Sequence, residues 1–260
     1  MSPAPSIRAW RPALDGVAEV LHARFGEHAY PMHAHATWTL LLVDDGAVRY
    51  DLDRHERGAF GGTVTLLPPH VPHNGTAANP HGFRKRVLYL EPGQLPDRLV
   101  GATVDAPTLA DPALRRMIST VHRLVRLPGD EPSADDLLAV ALERLRARLD
   151  DRPAPPAHGG AARDLRDLLE AHIVPGLPLR TAADRLHFTP AHLVRSFRRE
   201  YGMAPHQYVI SRRVDLARRL IVAGHPLPTV AQRSGFYDQP HLTRHFKRIL
   251  GVSPGHFRPR

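Results

Sequence analysis

The sequence predicts a multidomain chain: an all-β N-terminal barrel or sandwich, a short helical segment, and an all-α C-terminal domain with two helix-turn-helix units. Three observations predict it. Short apolar runs separated by Gly, Pro and Asp/Asn signals fill the first hundred residues. A Pro- and Gly-rich stretch, DRPAPPAHGGAA, interrupts the chain from Asp151 to Ala162. Beyond it the chain repeats itself at an offset of 49 residues.

The 260 residues suffice for two domains, each with its own core. At 42% hydrophobic and 23% charged residues, the composition is that of an ordinary globular protein. No apolar stretch reaches the roughly 20 residues that a membrane helix requires. The N-terminus, MSPAPSIRAW, lacks a basic segment followed by an apolar run, so a cytoplasmic protein is expected. The absence of cysteine excludes disulfides, thiolate metal sites and cysteine nucleophiles. The net charge of +9 is unevenly placed: residues 1–160 carry 18 Lys/Arg against 19 Asp/Glu, and residues 161–260 carry 17 against 7. One neutral and one basic half is the distribution of a chain whose C-terminal domain faces a polyanion.

Within residues 1–104, Trp38 to Val43, Val64 to Leu67 and Val87 to Leu90 read as strands, with turns expected at Asp44-Asp45-Gly46 and Gly61-Gly62. Residues 105–150 read as helical. Asp111-Pro112 is an N-cap followed by proline at the first helical position, and Met117, Val121, Leu124 and Val125 follow at helical spacing. Pro128-Gly129 ends that helix, and Ser133 is expected to cap the next. There Leu138, Leu142, Leu145 and Leu149 form a heptad-like seam, which serves either packing on the same domain or a homodimer contact. Residues 151–162 form the linker and 163–260 the C-terminal domain.

In that domain FTPAHLVRSFRREYGMAPHQYV (residues 188–209) overlays YDQPHLTRHFKRILGVSPGHFR (residues 237–258) with seven identities, Arg195/Arg244 among them. Thr189 and Asp238 are placed as N-caps, with helices running from Pro190 and Gln239 to Gly202 and Gly251. Leu193 and Phe197, like Leu242 and Phe246, lie four apart and bury one stripe. The opposite face carries Ala191, Val194, Arg195 and Arg198 in the first copy, and Pro240, Thr243, Arg244 and Lys247 in the second. Each helix follows another after a short break, which is helix-turn-helix geometry, and a basic outer face there suits a DNA major groove. Val209 to Ala223 reads as one rigid helix between the units.

The runs AADRLHFTPAHLVRSFRREYGMAPHQYVISRRVDLARRLI and VAQRSGFYDQPHLTRHFKRILGVSPGHFR resemble the AraC/XylS family of bacterial transcription regulators. The resemblance implies an effector-responsive regulator, commonly an activator, that binds promoter DNA and contacts RNA polymerase. It assigns base reading to Ala191, Val194 and Arg195, and to Gln239, Pro240, His241 and Arg244. Two departures matter: His187 stands where the turn often has glycine, and Pro240 where a small polar residue is common. With only apolar contact available from Ala191 and Pro240, the arginines carry direct readout. Arg198, Arg199, Lys247, Arg248 and the Arg212-Arg213 and Arg218-Arg219 pairs read as phosphate contacts or solvated charges.

The N-terminal segment from His28 to Gly75 is similar to the cupin-like sensor domains joined to AraC-type modules, carried by His33-Ala34-His35, Gly46, Gly61-Gly62, Pro68-Pro69 and His73. His33 and His35 share one side of a strand. With His73 they form a candidate site for a divalent transition metal, or line a small-molecule pocket without one. Metal-binding relatives add a glutamate a few residues later, where this chain has Thr39 or Leu40. That departure weighs against the competing class, a metal-dependent cupin enzyme. A nonspecific DNA binder is the other alternative, distinguished by salt-controlled affinity without sequence preference.

Overall fold

A computed structural model describes residues 5–26, 28–126, 129–150 and 160–257. The first eight strands are β1 (Ser6–Trp10), β2 (Val17–Phe25), β3 (Tyr30–His33), β4 (Trp38–Leu52), β5 (His55–Phe60), β6 (Val64–Leu67), β7 (His73–Ala77) and β8 (Phe83–Leu90). After a turn of 3-10 helix come α1 (Leu99–Asp105) and β9 (Thr108–Leu109). The antiparallel order is β1-β2-β8-β4-β6-β9, and the far half of β4 pairs with β5 and β7, while β3 pairs with β7. The 15-residue β4 thereby belongs to both walls of the barrel.

Trp38 to Val43 is buried on both faces, and the reason lies in what covers each. Trp38, Leu40 and Leu42 pack outward against helices, whereas Leu41 and Val43 join Val87 and Tyr89 in the barrel interior. The covering helices are α2 (Pro112–Leu124) and α3 (Glu131–Asp150). Asp111 caps α2, its Oδ1 accepting from the Ala113 and Leu114 amides at 3.1 and 3.0 Å.

Three expectations are corrected here, and one alternative is decided. Asp44-Asp45-Gly46 is not a turn: β4 runs through it, and the register against β8 shifts between Val43 and Asp45. Asp44 is the extra residue of this bulge, and Gly46 just beyond it takes φ +72°, where a Cβ would collide with the Gly82 carbonyl oxygen. Gly61-Gly62 does form the turn between β5 and β6. Ser133 caps nothing, because α3 starts two residues earlier. The leucine seam of α3 is consumed within the chain: Leu138, Leu142, Leu145 and Leu149 are buried in the same cluster as Trp38 and Leu40. Of the expected linker, residues 151–159 lie outside the described residues, and Ala161 and Ala162 already belong to the next helix.

The C-terminal helices are α4 (Ala161–Glu170), α5 (Leu179–Leu186), α6 (Pro190–Tyr201), α7 (Pro205–Val222), α8 (Leu227–Arg233) and α9 (Gln239–Leu250). Both ends of α6 and α9 obey the 49-residue offset. Leu193 and Phe197 pack with Leu165, Leu169, Ala182 and Tyr208. Leu242 and Phe246 pack with Val214, Val230, Ala231 and Phe257, and this second cluster is continuous with the barrel interior. The two domains therefore share buried apolar surface.

Candidate DNA interface and sensor cavity

The two recognition helices begin and end alike. The Thr189 hydroxyl accepts from the His192 amide at 3.2 Å, and Asp238 Oδ1 accepts from the His241 amide at 2.7 Å, each satisfying a donor in the first turn. Gly202 (φ +66°) and Gly251 (φ +77°) close the helices in the left-handed region. In the preceding turns His187 takes the left-handed conformation (φ +58°) where the second unit uses Gly235 (φ +79°). Histidine is tolerated at that first turn. Gly235 is not replaceable, since a Cβ would meet the Val174 carbonyl oxygen at 2.6 Å.

Ala191, Arg195 and Arg198 are exposed on α6, with Val194 half-buried beside them. On α9, Pro240, Arg244 and Lys247 are exposed, and Gln239, His241 and Thr243 are half-buried. Both faces thus present Arg and a further cation to solvent at matching positions. His241 is also engaged locally: its Nδ1 accepts from the Tyr237 amide at 3.4 Å, and its ring packs edge-on to Phe236 and His245. Two exposed aromatics that sequence reading matched only in kind, Phe188 and Tyr237, stand just before the recognition helices, Tyr237 at 92% exposure.

The paired arginines of α7 require a correction. Arg212 and Arg218 are buried, not solvated. Arg212 pairs with Glu170 at 2.8 Å and with Asp215 at 2.6 Å. Arg218 reaches Glu19 of β2 at 3.1 Å and Asp215 at 3.2 Å, and its guanidinium lies 3.7 Å from the centre of the Tyr89 ring. Arg213 donates to the Ile173 and Val174 carbonyls at 2.8 and 3.3 Å, and Arg219 is half-buried. Of these cations Arg218 docks α7 onto the barrel, whereas Arg212 and Arg213 tie α7 to α4 and the segment that follows it. The physical reason is their spacing: Arg212, Asp215 and Arg218 lie three apart, on the helix face that carries Val214 and Ala217 into the core.

Asp215 is the hub of that docking. Its Oδ1 accepts from His35 Nδ1 at 2.8 Å and its Oδ2 from the Ala36 amide at 3.1 Å. Burial opposes the charge, but the His35 hydrogen bond and the neighbouring Arg218 and Arg212 hold the carboxyl well below the ordinary range. Burial pushes the Glu19 carboxyl up to about 7, against the pull of Arg218. The hydroxyl of Ser211 lies 3.4 Å from the Ala34 amide and accepts from it. None of these docking partners was legible as such in the sequence.

On the barrel side of Asp215 the predicted histidines do come together. His33, His35 and His73 are all buried, and one nitrogen of each lies within 4.8 Å of one nitrogen of the other two. They line a cavity of about 50 Å³ with Tyr30, Tyr50, Lys85, Tyr89 and apolar neighbours. Desolvation holds His35 down to about 4 and His73 to about 3, and His33 well below the usual imidazole value, so all three rings are neutral at pH 7. Lys85, which sequence reading passed over, has its Nζ 4.1 Å from the Tyr30 ring centre. Burial, then the Arg218 charge, draws its ammonium down to about 7.

A barrel with a histidine-lined cavity, docked through α7 and α9 onto paired helix-turn-helix units, defines the class: a ligand-sensing, DNA-binding transcription regulator. Residues 182–260 match a helix-turn-helix domain and residues 16–144 an AraC-like ligand binding domain. The multiple antibiotic resistance protein MarA of Salmonella typhimurium is 33% identical over 93 residues, which are 35% of this chain and 73% of MarA. The chain belongs to the AraC/XylS family of transcription regulators. The arabinose operon regulatory protein of Salmonella typhimurium is 28% identical over 209 residues, covering 76% of this chain and 74% of its own. The probable regulator LumQ of Photobacterium leiognathi is 32% identical over 87 residues, and the chain spans only 35% of LumQ. Among solved structures, ToxT of Vibrio cholerae shares the fold, with a TM-score of 0.60, 12% identity and 98% of both chains covered. Among the described residues, no helix is long and apolar enough to cross a membrane.

Proposed function

We propose that this regulator reads an operator with α6 and α9 and that an effector reaching the barrel cavity acts through α7. Arg195 and Arg244 bind base edges, Ala191, Val194, Gln239, Pro240, His241 and Thr243 line the groove contact, and Arg198 and Lys247 meet phosphates. The observation that carries this reading is the equivalence of the two recognition helices: side-chain N-caps at matching positions, glycine C-caps, identical lengths and arginine in the same exposed seat. Two readers in one chain serve two successive groove faces without a partner subunit, and the leucine seam that suggested a homodimer is already buried. Contact with RNA polymerase in the cytoplasm is the step by which the bound regulator activates transcription.

The effector reading rests on position. His35 lines the cavity with one side of its ring and holds Asp215 of α7 with the other, so a ligand in the cavity touches the group that docks the DNA-binding domain. An effector shifts only an equilibrium whose states it binds differently, and docked against undocked is such an equilibrium. The test is genome-wide DNA capture with the purified full chain, followed by retardation of captured and base-scrambled duplexes across salt concentrations. Strong preference for the captured duplex at every salt supports the reading. Equal affinity for both would make this a nonspecific DNA binder.

A further inference from the structure

We propose that His33, His35 and His73 bind one divalent transition-metal ion, and that Asp215 links its occupancy to docking of the DNA-binding domain. The proposal rests on the effector reading above and names the effector's chemistry.

The hydrogen bonds settle which nitrogens are available. His33 Nδ1 lies 2.7 Å from the Pro31 carbonyl oxygen, and His73 Nδ1 lies 3.1 Å from the Val71 carbonyl oxygen. His35 Nδ1 lies 2.8 Å from Asp215 Oδ1. Carbonyl and carboxylate oxygens only accept, so each Nδ1 carries its proton and each Nε2 keeps a lone pair. Among the described residues, no side chain or backbone group donates to any of the three Nε2 atoms. Three neutral rings that line one small cavity, each with an Nε2 lone pair and each offering a nitrogen within 4.8 Å of the others, call for a Lewis acid or a donor between them. Imidazole suits zinc, copper, nickel and iron, and backbone or carboxylate oxygens on the far ring nitrogen are the usual support of such a ligand set. A tetrahedral ion with bonds of about 2.0–2.1 Å needs its nitrogens roughly 3.3 Å apart, so the rings close in modestly on binding.

The cavity size points the same way. ToxT has been solved with an unsaturated fatty acid bound. About 50 Å³ has no room for such a chain in the docked form, but holds an ion and one or two waters. No carboxylate ligand follows His35 in the barrel; Asp215 of α7 instead supports His35 from behind, on its Nδ1. A cation on Nε2 makes the Nδ1–H a stronger donor to Asp215, so the ion favours docking, and docking favours the ion by the same factor.

The experiment uses the untagged full chain, stripped with a chelator and dialysed, titrated with Zn²⁺ against a competing chromophoric chelator. Expected is one tight equivalent per chain, at least about tenfold weaker in His33→Gln and in His73→Gln, and about 10–100-fold weaker in Asp215→Asn. Circular dichroism confirms that each variant is folded, and His206→Gln, an exposed histidine on the DNA-binding domain, serves as the control that leaves the tight site unchanged. Hydrogen exchange then reads docking: Zn²⁺ should slow exchange along β3 and α7 in the wild type and leave the His33→Gln chain unaffected. Absence of the tight equivalent, or its persistence in both ligand variants, overturns the metal site. A tight site without the exchange response overturns the link to docking. Retardation of the captured operator by the stripped protein is scored separately, so failure of the metal leaves the DNA-binding reading standing or falling on its own result.

Discussion

Replacing Arg218 by Met removes one partner of an ion pair in which neither side chain is more than 1% exposed. Methionine keeps the apolar stem, so the loss isolates the charge. Truncating one partner of a buried pair costs about 3–5 kcal/mol, because the remaining charge is left without compensation. Here the remaining group is Glu19, whose carboxyl burial already pushes up to about 7. Without the arginine it rises further and takes a proton near neutrality, which caps the loss at the lower end, about 3 kcal/mol at pH 7. The sign with pH follows. A carboxyl raised above its unfolded value contributes stability below that value and loses it as pH rises through the folded one. The variant's penalty relative to wild type should therefore grow above pH 7 and shrink towards pH 5. Glu19→Gln combined with Arg218→Met should recover at least about 2 kcal/mol of the single variant's loss, since no charge is then stranded. The assay is urea unfolding followed in parallel by tryptophan fluorescence and circular dichroism. Both tryptophans, Trp10 and Trp38, lie in the barrel, whereas the helical signal comes mainly from the other domain. In the wild type the two transitions should coincide, and in Arg218→Met they should separate. A penalty below about 1 kcal/mol that is flat with pH, or a double variant no better than the single, would refute the docking role of this pair.

Arg195→Ala and Arg244→Ala should each weaken binding to the captured operator by about 1–3 kcal/mol, roughly 10–100-fold, and relax preference at one base pair. Retardation on permuted duplexes checks this, and equal loss on random DNA would reassign the residue to the phosphates. Gly46→Ala should destabilise the barrel by more than about 1 kcal/mol, because the position needs a left-handed backbone and abuts the Gly82 carbonyl. Thermal unfolding measures it. Burial, then Arg86 and Arg126, holds the His22 imidazole down to about 4, and burial holds its partner His122, 3.2 Å away, well below the usual range. Their contribution is complete above the ordinary imidazole value near 6.5 and is lost as pH falls towards 4, so His122→Leu should flatten the acid limb of the stability profile.

The recognition helices were legible because each signal is local: a cap, a stripe at spacing four, a glycine stop, all written twice. The histidine cluster was legible in part: His33 pairs with His73 across β3 and β7, but β3 ends at His33, so His35 joins them from the segment before β4 and not by alternation on a shared strand. What escaped were contacts distant in sequence. Arg212 and Arg218 look like surface cations because their compensating partners, Glu170 in the same domain and Glu19 in the barrel, are 42 and 199 positions away. Local cues were also ambiguous where one residue type serves two backbones: the positive φ of Gly46 fits a bulge as well as a turn, and only the strand continuing beyond it decides. The leucine seam of α3 shows the same degeneracy, since a stripe that fits a partner helix fits a sheet equally well.

The helix α7 joins the two helix-turn-helix units and packs against β2 and β3, a span of 18 residues or about 27 Å. As a single helix it has no internal joint, so on the proposed reading a tilt at Asp215 displaces both readers at once. The chain would then release one groove face with the other held in register only through a bend in α7 or movement of α9 on its own barrel contact. Its response to the cavity is felt by the operator as a change in the spacing and angle of a pair, and promoters with the correct half-sites at a different separation would be ranked differently by the docked and undocked forms.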